Sequence, residues 1–396
     1  MQNRWGVLAL VVVARTAMGF QFQSVAAVGP FLVADLGLSY AQLGTLIGLY
    51  LLPGVVLALP GGLLGARFGD RAVVLTALGL MTLGSAGLAV AGSLPVGAAG
   101  RLVSGAGGVL LTIQATKIVT DWFAGRELAT ALGIMLAAWP LGIALGLAAL
   151  GTLAAATTWR AAILVATLSA ALAFLLMLFY RERPVRVPDR TRAAGRWWTI
   201  TGRETALIGS AGLAWATLNA GFILFLSFGP KLLAERGTAP AGANLVVSWA
   251  SFLSIATVPL GGALLDRVRR RDAVIAVGLV GAAATCGAFA LGGPALLWSA
   301  LVGLLVAPAA GVVALPGEVL PQSRRGAGFG LFYVIYYVCM GVVPVVAGYL
   351  VDRGGGAAAL WLAAFLWLAP LPPLWIFRAL QRRWSMFGAG AGAAKE

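Results

Sequence analysis

The sequence predicts an all-α membrane protein with twelve transmembrane helices in two parallel six-helix repeats. Three observations predict it. The 396 residues are 60% hydrophobic and 10% charged, and apolar runs of about 20 residues, enough for a helix to cross a roughly 30 Å hydrocarbon layer, follow one another along the chain. One long polar run, Arg181 to Glu204 (RERPVRVPDRTRAAGRWWTITGRE), divides them near the middle. Connections in the second half repeat those in the first.

The apolar runs place spans at about 6–28, 42–64, 73–94, 100–120, 128–152 and 160–180, then 206–228, 244–265, 273–291, 295–316, 327–350 and 357–377. The expected organisation is a bundle over 1–180, a linker over 181–204, a second bundle over 205–380 and a tail over 381–396, whose last stretch, GAGAGAAKE, reads as unstructured. The N-terminal run superficially resembles a signal peptide, but Arg15 interrupts it and no cleavage site precedes a soluble domain, so it reads as the first span.

Charge placement sets an orientation. With the N-terminus inside, 21 Lys and Arg fall on one side and five on the other, while Arg15 and Lys117 lie within spans. Because Lys and Arg are retained in the cytoplasm, both termini and the central run are expected there, in a bacterial inner membrane. The net charge of +15 is thereby explained by the bilayer and not by nucleic acid. With no histidine in the chain, His-based metal sites, His relays and Ser-His-Asp chemistry are excluded, and no phosphate-binding loop occurs. An enzyme is not expected, nor any cofactor or metal. Cys286 and Cys339 both lie in apolar runs and read as free packing residues. The 54 glycines, without a Gly-X-Y period, point to close helix packing.

The repeat is visible in the loops. Gly61, Gly62, Arg67 and Arg71 recur 200 residues later as Gly261, Gly262, Arg267 and Arg271, and Arg126 ahead of Gly133 is echoed by Arg324 ahead of Gly330. Two parallel repeats allow one half to rock against the other around a site between them.

These loops resemble the cytoplasmic signature of the major facilitator superfamily, Gly-x-x-x-Asp-Arg-x-Gly-Arg-Arg. Gly62, Arg67, Gly69 and Arg71 match in the first half, and Gly262, Asp266, Arg267, Arg270 and Arg271 in the second. Ala66 occupies the acidic position of the first copy and Asp70 a basic one, so the order of charges has changed. Arg101, Gly105, Gly107 and Gly108 look like the family's fourth-helix pattern. Within the superfamily, the stretches 14–36, 49–62 and 120–131 look most like the cyanate permease-like group. The resemblance implies the major facilitator fold and a transporter, monomeric, moving a small anion such as cyanate by alternating access. A neutral or nitroaromatic cargo is the alternative; a sensor or scaffold with a transporter fold is the rival of another class. The signature residues Gly62, Arg67, Asp70, Arg71, Asp266, Arg267 and Arg271 are expected to latch the two halves together at the cytoplasmic side.

Arg15 is the sharpest candidate for substrate contact. It sits about nine residues inside the first span, roughly 14 Å deep at 1.5 Å per residue. A guanidinium there costs at least about 2.5–3.5 kcal/mol and should meet an anion, a water-filled cavity or carbonyl oxygens. No Asp or Glu lies near the middle of any span to pair with it. Gly19 and Gln23 follow at i+4 and i+8 and share its face. Gln114 and Lys117 share a face of the fourth span, with Asp121 one turn on as a partner for Lys117. Trp139 before Pro140 in the fifth span, and Pro344 in the eleventh, are expected to mark bends near the pathway. Trp215 and Asn219 in the seventh span, and Tyr333, Tyr336 and Tyr337 in the eleventh, supply aromatic walls, an amide and hydroxyls, or else interhelical packing and interface anchors. A coupling ion or proton is left open, since the spans hold neither histidine nor a deep carboxylate and arginine does not titrate in this range.

Overall fold

The computed structural model describes residues 3–124, 127–182, 200–307, 309–320 and 325–393. Arg126, Arg324, most of the central run and the last three residues lie outside them. The described chain is helical. In the first half stand α1 (Arg4–Ala27), α2 (Gly29–Leu36), α3 (Tyr40–Gly48), α4 (Gly54–Leu57), α5 (Gly61–Phe68), α6 (Asp70–Ala89), α7 (Leu94–Phe123), α8 (Leu128–Ala156) and α9 (Trp159–Met177). In the second stand α10 (Gly202–Glu235), α11 (Pro240–Arg267), α12 (Arg271–Leu291), α13 (Ala295–Leu305), α14 (Ala309–Val319), α15 (Arg325–Leu368) and α16 (Leu371–Ala393).

Ten helical stretches of the described residues are long and apolar enough to cross a membrane. The second span is carried by α3, α4 and α5 in succession, interrupted around Pro53 and Pro60, where the missing N–H and the ring break the ladder. The eleventh and twelfth are joined in α15, whose course bends at Gly355, a residue at φ 71° that a side chain would strain. Together these make twelve crossings. The tenth span is likewise split into α13 and α14. Local chemistry sets the starts: Ser39 and Gln42 form a capping box on α3, as do Thr201 and Glu204 on α10 where the chain emerges from the central run. The stretch expected to be unstructured departs from expectation, because α16 continues to Ala393. Glycines alternate with the alanines there and lower the local propensity, so the helix is continued from the apolar segment on which it began.

Lipid offers no hydrophobic drive between helices, so contact depends on close packing and hydrogen bonds. Gly84 lets α6 lie against Gly100 and Ser104 of α7, where a methyl group would strike backbone. Between the halves, the end remote from the two termini (the far end) is closed. There Gly44 and Gly48 of α3 lie against the carbonyls of Pro344 and Gly341 on α15. Beside them, Asn244 Nδ2 of α11 donates to the Ala27 carbonyl at 2.9 Å and Ser251 Oγ to the Pro140 carbonyl at 2.8 Å.

Candidate functional site

The site begins at Arg15. Its residue is 6% exposed, and Nη1 donates to Thr112 Oγ1 of α7 at 2.6 Å. Thr112 in turn donates to the Gly108 carbonyl at 2.9 Å, which fixes the hydroxyl one helical turn back on α7. The guanidinium carbon lies 5.8 Å from the centre of the Trp139 ring, and Nε is sealed without a hydrogen-bond partner. Among the described residues every carboxylate sits near a helix end or, for Asp352, near the bend of α15, so Arg15 has one neutral oxygen and an aromatic face for company at membrane depth.

The facing wall belongs to the second half. Arg15 is within electrostatic range of the Tyr337, Tyr333 and Tyr336 hydroxyls of α15, and of Tyr50. The spacing of the three tyrosines, i, i+3 and i+4, puts their rings together: centroids are 5.1 Å apart for Tyr336 and Tyr337, 6.2 Å for Tyr333 and Tyr336, and 6.3 Å for Tyr333 and Tyr337. Tyr337 packs on Gly54, where any side chain would collide with the ring. Trp215 of α10 extends the wall, stacked 6.3 Å from Phe332 and 6.5 Å from Tyr336, with its indole Nε1 unpartnered. Asn219 Nδ2 is committed to the Trp215 carbonyl at 2.8 Å, within its own helix.

Other expected contacts lie elsewhere. Gly19 leaves no open space: α8 fills it, with the Trp139 carbonyl and Gly142 where a side chain would be. Gln23 is fully buried on the far side of Arg15, its Nε2 donating across the halves to the Leu226 carbonyl at 3.3 Å. Gln114 Nε2 donates to the Gly61 carbonyl at 3.1 Å, at the end that carries the termini. Lys117 is bound by Asp70, and by Asp121 at 3.4 Å. The side-chain nitrogens of Gln23, Gln114 and Lys117 are therefore engaged by groups other than the Arg15 centre.

The signature residues form contacts within each half. Asp70, displaced from the family's acidic position, opens α6 and holds Lys117 of α7. Arg71 donates from Nη2 to the Leu178 carbonyl at 2.8 Å, and its backbone N–H to Glu182. Arg271 reaches Asp266 at 3.4 Å and the Leu265 carbonyl at 2.9 Å. Arg67 is exposed and lies 5.3 Å over the Phe68 ring, Arg267 is exposed in the last turn of α11, and Gly62 stands in α5.

Sequence reasoning passed over Thr112, although a hydroxyl inside an apolar span was the available signal. It also took Arg101 only as part of a family pattern. Arg101 is 1% exposed; Nε donates to the Leu46 carbonyl at 2.8 Å, and Nη1 and Nη2 to those of Gln21 and Phe22 at 3.2 and 3.1 Å. Its guanidinium lies 4.5 Å over the Tyr50 ring. With all three guanidinium nitrogens engaged and the side chain buried, Arg101 joins α1, α3 and α7. No group of His, Cys, Asp and Glu among the described residues could hold a metal ion. The two cysteines are free.

Known proteins carry the same architecture. A hexuronate transporter of Bacillus subtilis (strain 168) is 23% identical over 365 residues, covering 85% of each chain. The inward-open xylose transporter XylE from E. coli superposes with a TM-score of 0.78 at 15% identity, covering 95% of this chain and 96% of that one. A crystal structure of a D-xylose-proton symporter gives 0.75 at 17% identity, over 95% and 98%. Residues 11–230 and 208–385 each match the Major Facilitator Superfamily description. With both halves matched, the chain belongs to the Major Facilitator Superfamily.

Proposed function

We propose that this transporter moves a small anion by alternating access, with the negative group of the cargo held by Arg15. The observation that carries the reading is a buried guanidinium, within electrostatic range of the α15 tyrosines, whose Nε has no partner and which no described carboxylate neutralises. An anion arriving there gains a charge-assisted hydrogen bond in a medium of low dielectric. The hexuronate relative supports an anionic cargo, and cyanate stands as the compact member of the class. Trp139, Tyr333, Tyr337 and Trp215 line the proposed contact, with Asn219 beside them.

The halves, 1–180 and 205–380, act as the rocking bodies, joined by the linker over 181–204. Tight packing within each half and the capping box that restarts the chain at Thr201 support that division. The excess of Lys and Arg at the terminus-bearing end supports a bacterial inner-membrane protein with both termini in the cytoplasm. Closure at the far end supports a site that opens toward the cytoplasm.

Uptake and counterflow in proteoliposomes test the proposal, at two pH values and with wild type beside Arg15→Ala. The panel is cyanate, nitrite, nitrate, short carboxylates, hexuronates and nitroaromatics. Saturable anion flux that vanishes in a folded Arg15→Ala variant is expected. Flux of neutral compounds only, anion flux indifferent to the substitution, or no saturable flux at all would contradict it; the last outcome would favour a sensor or scaffold.

A further inference from the structure

We infer that Tyr333, Tyr336 and Tyr337, with the Trp215 indole, form a donor wall that selects an oxygen-rich organic carboxylate over a compact anion; this rests on the anion reading of Arg15. Among the described residues none of the three tyrosine hydroxyls has a hydrogen-bond partner, and none is sealed from access. Trp215 Nε1 is buried and unpartnered, as is Arg15 Nε on the opposite side. The groups that face one another across the seam are thus mostly unused donors. Asn219 gives one Nδ2 N–H to the Trp215 carbonyl and keeps the second N–H and its amide oxygen.

Packing alone does not explain the hydroxyls. The rings make a tight aromatic cluster, with Tyr333 edge-on to Phe332 at 5.3 Å, and phenylalanine would serve that cluster equally well. The three hydroxyls stay accessible without a protein partner, so whatever occupies the space they face, water or a ligand, must answer them. Nor are these residues interface anchors, because they lie well inside the first arm of α15, away from its ends. A ligand that satisfies Arg15 and the wall together needs a carboxylate at one end and several acceptor oxygens along a body as broad as the triad. A three-atom anion on Arg15 has too few acceptors to reach the wall. Sites built to hydrogen-bond a substrate hydroxyl discriminate strongly against analogues that lack it, because the buried partners are left unpaired.

Isothermal titration of the full chain in nanodiscs tests this, with D-glucuronate, D-gluconate, acetate and cyanate as probes. At least one polyhydroxylated acid is expected to bind about tenfold tighter than acetate and cyanate, the effect of two or so net hydrogen bonds. Tyr336→Phe and Tyr337→Phe, which keep the rings, should each weaken that acid by about 3- to 10-fold more than they weaken acetate. Arg15→Ala should weaken both classes. If both polyhydroxylated acids bind no tighter than acetate, or if the phenylalanine variants bind them as wild type does, the donor wall is overturned while the Arg15 reading stands. If Arg15→Ala changes no anion, the anion reading has failed and the wall inference with it.

Discussion

The carboxylate of Asp352, on α15 in the second half, caps the start of α3 in the first. Oδ1 accepts the Tyr40 N–H at 2.7 Å and Oδ2 the Ala41 N–H at 2.9 Å. A negative charge on the exposed amides of a helix N-terminus stabilises by about 1 kcal/mol. This bond crosses the two bodies at the far end, so it must break whenever that end opens. Asp352→Asn is therefore expected to move the equilibrium toward opening there, by about 5-fold. Spin labels at Val90 and Leu291, exposed in opposite halves at 75% and 78%, would report a larger population at long distance in the variant. An unchanged distribution would remove Asp352 from the closure.

Arg101 carries a prediction about folding. Its substitution by leucine leaves the carbonyls of Leu46, Gln21 and Phe22 without their donor. At about 1 kcal/mol or more for each unsatisfied acceptor, the loss should be about 3 kcal/mol or greater. The yield of monodisperse protein and its thermal midpoint should both fall, even where residual protein still binds anion.

The loop acids should differ in weight. Asp70 is bound to Lys117 in a partly buried setting, whereas the Asp266 side chain is 80% exposed beside Arg271. Exposed pairs contribute about 0–1 kcal/mol. Asp266→Asn is thus expected to leave transport near the wild-type rate, and Asp70→Asn to reduce it by loosening α5 and α6 from α7. Initial rates of counterflow check both, and an Asp266→Asn defect as large as that of Asp70→Asn would restore a latch between the halves.

One carboxylate outside the spans gives a pH prediction. Asp35 accepts from Trp159 Nε1 at 2.9 Å and Arg160 Nη1 at 2.6 Å. Those bonds, the tryptophan's first, hold it below the usual carboxylate range. A depressed folded value stabilises the fold above the unfolded pKa of about 3.9, and that stabilisation is lost as pH falls through the folded value. The difference in thermal midpoint between wild type and Asp35→Asn should therefore be constant from about pH 5 to 8 and shrink below about pH 4.

The architecture was legible because membrane spans advertise themselves by length and apolarity, and because paired loop residues such as Gly61 and Gly261 betray the repeat. Arg15 was legible for the same reason: a charge deep in an apolar run demands an explanation. Its partner was not, since Thr112 is distant in sequence and a threonine in a helix commonly bonds its own backbone. Gly19 shares a face with Arg15, but periodicity cannot say whether a face meets a cavity or a neighbouring helix, and α8 occupies it. Lys117 has the same ambiguity: Asp121 was visible one turn away, whereas Asp70 comes from another helix. Asp352 went unnoticed because its partners are backbone amides, which carry no signature in sequence.

The most direct test is the equilibrium affinity of wild type and of Arg15→Ala for whichever anion gives the strongest counterflow, measured by titration on folded protein in nanodiscs. Removing a buried charged hydrogen-bond donor costs about 2–5 kcal/mol, so the account predicts a loss of about 30-fold or more. Arg15→Lys, which keeps the charge but not the planar fork, should fall between the two. An affinity unchanged in Arg15→Ala would contradict the central claim and leave only the transporter fold.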